Sequence, residues 1–122
     1  MLEFNMRNEG KNIGIIELTG SIDLDGALAL KEKISEVRKK GSIIILINCK
    51  NVSSVSSAHL QQLLSPIRAL VSIRGMIAFT DMTEHVHKFI KTAMFYPIIK
   101  VYATEMDALA ELSEQKHENP NP

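Results

Sequence analysis

Ser42 to Leu60 reads SIIILINCKNVSSVSSAHL, and its two ends obey different rules. Ile43 to Ile47 is a solid apolar run. Ser42 to Asn48 therefore predicts a strand buried on both faces, as in the centre of a largely parallel sheet. From Leu60 the period changes: Leu60, Leu63, Leu64, Ile67, Leu70 and Val71 form one stripe of an amphipathic helix. Pro66 removes an intrahelical bond and is expected to kink or restart that helix. Ser53, Ser54, Ser56 and Ser57 fall between the two patterns, so they are expected on a strand-to-helix turn. Backbone N–H groups point outward there and the helix dipole favours negative charge. A serine at such a place can cap the helix, bind an anion or accept a phosphoryl group.

The flanking sequence repeats the alternation. Leu2 to Arg7 alternates loosely, Asn8 to Asn12 is turn chemistry, and Ile13 to Thr19 is a second strand. Gly20-Ser21-Ile22-Asp23 is expected to break it. Ala27, Leu30, Ile34 and Val37 then share a helical face, with Asp25 as the expected cap and Gly41 as the stop. Met76 to Phe79 is a short buried strand after Gly75, and Val86, Phe89, Ile90 and Ala93 mark a third helix. Pro97 opens a strand over Ile98 to Val101, and Thr104 starts a last helix carrying Leu109 and Leu112. The order is β-β-α-β-α-β-α-β-α. It predicts an α/β fold: a mixed, mostly parallel sheet of about five strands with about four helices and an antiparallel first strand. Residues 1–114 form the expected single domain, and the polar, proline-bearing segment 115–122 a flexible tail.

Fourteen basic residues balance fourteen acidic ones, so the net charge is +0. A nucleic-acid binder would show a basic excess or stripe, so none is expected as a partner. The single cysteine, Cys49, closes an apolar run and reads as a buried hydrophobe in a reducing, cytoplasmic setting. No signal pattern or membrane-length apolar run is found, so no membrane insertion is expected. No metal or cofactor is expected: His85 and His87 do not share a helix face, and no Gly-rich nucleotide loop is present. An acid, a base and a nucleophile cannot be assembled from these turns, which argues for binding over catalysis.

The order and its punctuation resemble the STAS domain, the fold of bacterial anti-anti-sigma factors (anti-sigma factor antagonists), over nearly the whole chain. Gly20-Ser21-Ile22-Asp23 resembles that family's Gly-x-x-Asp after the second strand, and Gly75 stands where the family places glycine. Val101-Tyr102-Ala103-Thr104-Glu105-Met106-Asp107-Ala108-Leu109 resembles its passage from the last strand into the last helix. In the family, Asp-Ser-Ser-Gly opens the second helix, and a partner kinase that doubles as the anti-sigma factor phosphorylates its first serine. Aligning the flanking valine and leucine places Ser57 at the phosphorylated serine, with Ser56, Ala58 and His59 at the other three positions.

The resemblance implies regulated protein–protein binding in a partner-switching system. The expected partner is a serine kinase/anti-sigma factor of the histidine-kinase-like ATPase type. Ser57 is the expected phosphorylation site. The docking surface would comprise Ser53, Ser54, Ser56, Ser57, Ala58, His59, Gln61 and Gln62. Two other possibilities stay open on the residues alone. One is a non-switching STAS scaffold or subunit of a larger complex or transporter assembly. The other is a small-ligand or anion-binding module at the helix N-terminus. Ser57 also has a purely structural explanation as a helix cap.

Overall fold

The computed structural model describes residues 2–10, 12–93 and 99–118, of which 57, 92, 93 and 113–118 are described as backbone only. Five strands form one sheet in the order β1-β2-β3-β4-β5: Glu3–Glu9, Ile13–Ile22, Ile44–Val55, Met76–Thr80 and Lys100–Tyr102. The β1–β2 pair is antiparallel and all other pairs are parallel. Helices α1 (Leu24–Lys39), α2 (Ser57–Leu60), α3 (Leu64–Ser72) and α4 (Glu84–Ala93) cover one face, and α5 (Glu105–Glu118) covers the other. Ile16, Leu18, Ile45, Ile47, Ile77 and Phe79 meet the first group, while Ile13, Ile15, Leu46 and Ala78 meet Ala108 and Leu112 of α5. This two-sided covering is why β3 begins as an unbroken apolar run. Each fully buried Leu or Ile contributes about 1.5–3 kcal/mol relative to exposure.

Two helix ends and one tight approach shape the connections. Gly41, at φ 109°, ends α1: its N–H donates to the Arg38 carbonyl and the Ser42 N–H to that of Val37. At the end of α3 the same geometry falls on Arg74, at φ 65°, followed by Gly75. There the Arg74 and Gly75 N–H groups bond the carbonyls of Val71 and Leu70. Gly75 is required for room: a Cβ there would stand less than 3.0 Å from the Ile43 carbonyl oxygen and 2.7 Å from Leu70 Cδ1.

Several expected boundaries move. Strand β2 runs through Gly20-Ser21 to Ile22, because the parallel neighbour β3 is longer than its apolar run and still supplies pairing partners. The α1 cap is Asp23, whose carboxylate accepts from the Gly26 N–H at 2.8 Å; Asp25 lies inside the first turn. The predicted second helix is segmented into α2, a 3-10 turn at Gln61–Leu63 and α3, with Pro66 on the first turn of α3. Proline is tolerated there because first-turn N–H groups have no intrahelical acceptor. Helix α5 continues to Glu118, into the segment expected as a tail. Pro97 and Ile98, expected to open β5, lie outside the described residues.

Candidate functional site

Strand β3 does not end with its apolar run. It continues to Val55, with Val52 and Val55 buried at 5% and 9% exposure and the residues between them exposed. Two register irregularities relative to β2 give β3 extra residues, one between Asn48 and Asn51 and one between Val52 and Ser54. Bulges of this kind increase twist and re-aim side chains. Ser53 and Ser54 are therefore strand residues, not turn residues as the sequence suggested. Both hydroxyls reach Ser21 of β2: Ser54 Oγ donates to Ser21 Oγ at 3.0 Å, and Ser53 Oγ lies 3.3 Å from it.

The turn proper is Ser56. Its N–H donates to the Ile22 carbonyl at 2.9 Å and its carbonyl accepts from the His59 N–H at 3.0 Å. Ser56 occupies the cap position of α2 and its side chain makes no capping bond. Ser57 is the first residue of α2, so the cap role considered for it falls one residue earlier. Val55 and Leu60, the latter fully buried, anchor the segment on both sides. Between them Ala58 is exposed and Ser56 and His59 are half-buried; Gln61 beyond is exposed and Gln62 half-buried. His59 Nδ1 is enclosed without a hydrogen-bond partner among the described residues. All the expected docking residues thus lie on one continuous stretch at the carboxyl end of β3.

A second polar cluster lies on the α5 side of the sheet. Glu105 Oε1 accepts from Arg7 Nη2 at 2.9 Å and from Asn48 Nδ2 at 2.8 Å. The Glu105 N–H donates to Asp81 Oδ2 at 2.8 Å, and Thr104 Oγ1 accepts from the Asp107 N–H at 3.0 Å. The Arg7 hydrogen bond, aided by Asn48, holds the Glu105 carboxyl below its ordinary value of 4.5 against the opposing effect of burial. An open cleft of about 390 Å³ lies beside the cluster, lined by Arg7, Glu17, Asn48, Lys50, Asp81 and neighbours on α5. Sequence reasoning missed this network. The one available signal was Asn48, an amide at the end of an apolar run, and its partner is 57 residues away.

Cys49 is fully buried and its thiol is pushed up to about 12, first by burial and then by the Asp81 carboxylate. Among the described residues no group of His, Cys, Asp and Glu has the makings of a metal site. His85 packs edge-on against Phe89, with ring centroids 4.8 Å apart. No described helix is long and apolar enough to cross a membrane.

Comparison with known proteins agrees with this architecture. The chain is 22% identical over 103 residues to an anti-sigma F factor antagonist of Paenibacillus polymyxa, covering 84% of this chain and 88% of the relative. The anti-sigma factor antagonist SpoIIAA in its unphosphorylated form superposes with a TM-score of 0.76 at 21% identity, covering 92% of this chain and 97% of that one. The Bacillus cell fate determinant SpoIIAA in its phosphorylated form gives 0.67 at 20% identity, over 90% and 99%. The sequence model of the STAS domain matches residues 6–108, and on that match the chain belongs to the STAS domain family.

Proposed function

We propose that this chain is an anti-sigma factor antagonist-like regulator that works by docking a serine kinase/anti-sigma factor of the histidine-kinase-like ATPase type. The docking surface is the segment from Ser53 to His59 with Gln61 and Gln62, and the control point is Ser57. The observation that carries this function is the β3–α2 turn. It is held between two buried anchors, Val55 and Leu60, with Ser56 and His59 half-buried and Ala58 exposed between them. The similar SpoIIAA chains, described in unphosphorylated and phosphorylated forms, support control by a phosphoryl group. In the transfer, Ser57 Oγ forms the new O–P bond, ADP departs with the electrons of the broken bond, and the hydroxyl proton passes to a base of the kinase. Phosphorylation adds about −1.5 to −2 charges at neutral pH. A desolvated dianion facing a surface built for a neutral hydroxyl is costly, so the partner is released. The setting proposed is cytoplasmic.

The test is incubation of the purified chain with ATP and each such kinase of its source genome, followed by mapping of the phosphopeptide. Phosphate on Ser57, absent from Ser57→Ala, is expected; no incorporation at Ser57 with any of them contradicts the switch. A second function keeps the fold without the switch: a constitutive scaffold or subunit of a larger assembly. Ser56, Ala58 and His59, which replace the other family motif residues, favour it. It predicts that Ser57→Ala and Ser57→Asp leave partner binding unchanged.

A further inference from the structure

Cations and carboxylates gather at opposite ends of the sheet. The connections through α1, α3 and α4 each run back to the amino end of the next parallel strand, so their last turns share one end. There the Ile43 N–H bonds the Asn12 carbonyl at 3.1 Å and the Met76 N–H bonds the Ile43 carbonyl at 2.8 Å, which holds the exits of α1 and α3 together. That end carries Arg38, Lys39 and Lys40 from α1, Arg74 after α3 and Lys91 on α4. None of the five is in an ion pair among the described residues. The carboxylates near them are Glu9 on β1, Glu36, which pairs with Lys33 at 3.8 Å, and Glu111, which Lys100 holds at 3.8 Å. Glu114, Lys116 and Glu118 follow on α5, across the sheet. Between the ends, α1 carries Lys31 and Glu32, α3 Arg68 and α4 Lys88. The opposite end gathers Asp23, Asp25, Asp81, Glu84, Glu105 and Asp107, with no lysine or arginine in the first turn of α1, α4 or α5. Basic residues at helix C-termini commonly just offset the helix dipole. Two observations go further here. Val71 and Ile73, beside Arg74, are 41% and 48% exposed. Arg74 itself is held at φ 65°, where the matching residue after α1 is Gly41. Glycine takes that conformation without strain, so a guanidinium is kept at this cap against the backbone preference.

We infer that this end is a peripheral membrane contact. The five cations meet the anionic headgroups of a lipid surface, and Val71 and Ile73 enter the boundary between headgroups and acyl chains. Cations beside exposed aliphatic side chains are the combination that an anionic bilayer surface satisfies at once. A nucleic acid would engage the cations through phosphate and leave the two aliphatic side chains without a share in the contact. A second copy of this chain docked through the same end would set cations against cations. The contact inserts no helix. It leaves the carboxylate end of the sheet, with the β3–α2 turn, facing the solution, and it does not rest on the docking function proposed above.

The test is co-sedimentation of the full chain with vesicles of phosphatidylglycerol and phosphatidylcholine in equal parts, and with vesicles of phosphatidylcholine alone. Binding to the first and not the second, falling as salt rises, is expected. Lys39→Gln with Lys40→Gln should weaken it by roughly twentyfold, since each basic residue near an anionic surface is worth about fivefold. Val71→Ser with Ile73→Ser should weaken it too while leaving the salt dependence in place. Both pairs are exposed, so thermal melting of each variant should match the parent. A polarity-sensitive thiol dye on Ile73→Cys should shift to the blue on the anionic vesicles. The same dye on Met106→Cys, 79% exposed at the other end, should not. No binding to anionic vesicles at low salt overturns the inference, as does equal binding to phosphatidylcholine alone or a blue shift at Met106 and not at Ile73. If the Val71 and Ile73 variant binds vesicles like the parent, and both bind duplex DNA as tightly, the end is a general polyanion surface and the membrane contact is overturned.

Discussion

Replacing Gly75 with alanine adds one methyl group at a place with no room for it. The new Cβ would meet the Ile43 carbonyl oxygen inside 3.0 Å and sit 2.7 and 2.8 Å from Leu70 Cδ1 and Cγ. The leucine is fully buried and the carbonyl is main chain, so neither yields cheaply. That same oxygen accepts from the Met76 N–H at 2.8 Å, and the Gly75 N–H bonds the Leu70 carbonyl at 2.9 Å. Relieving the overlap pulls the entry of β4 away from β3 and weakens the Met76–Ile43 bond. Overpacking costs about 1–3 kcal/mol, and one weakened hydrogen bond adds about 1 kcal/mol. The smaller unfolded-state entropy of alanine returns about 0.4–1 kcal/mol. The net expectation is a loss of about 2–3 kcal/mol, or roughly 6–15 °C in thermal midpoint for a chain of this size. Urea and thermal unfolding followed by circular dichroism measure it. A variant within about 0.5 kcal/mol of the parent would refute the steric explanation of this glycine.

Asp23→Ala should cost about 1 kcal/mol through loss of the α1 cap, and Asp25→Ala visibly less; equal effects in urea unfolding would contradict the cap assignment. The Glu105 carboxyl is held low, so its ionisation favours the folded state above the unfolded-chain pKa, and that contribution fades as pH falls through the lower folded value. Glu105→Gln should therefore be less stable than the parent near pH 6–7, with the gap closing below about pH 4; a gap independent of pH would remove the Arg7–Glu105 pair from the account. Cys49, buried and raised to about 12, should resist thiol reagents at pH 8 until the chain unfolds, when it reacts. Rapid labelling of the folded protein would show that the β3 core is open.

The fold was legible because each element carries one dominant period. The Ile43–Ile47 run demands a strand covered on both sides, and the Ala27–Val37 stripe demands a helix. The place of the strand-to-helix turn was legible and its form less so. Valines at 52 and 55 keep β3 pairing with β2 through two bulges, an effect that depends on a neighbour far away in sequence. Local reading therefore placed Ser53 and Ser54 on a turn and ended β2 at Thr19. The segmentation of the second helix was signalled by Pro66, but its 3-10 turn was not. Ser21, quoted only as part of a glycine-containing break, turned out to be the hydrogen-bond neighbour of both strand serines. The Arg7–Glu105–Asn48 cluster joins β1, β3 and α5, and no spacing pattern foretells contacts over 98 residues.

Whether phosphate at the β3–α2 turn governs docking is settled most directly by comparing affinities for one purified kinase. The chain bearing phosphate only on Ser57 is titrated against the unmodified chain. A loss of roughly a hundredfold or more is expected, of the size seen when a buried interface partner is left unmatched. Equal affinities for the two forms would contradict the switch and leave the domain a constitutive binder.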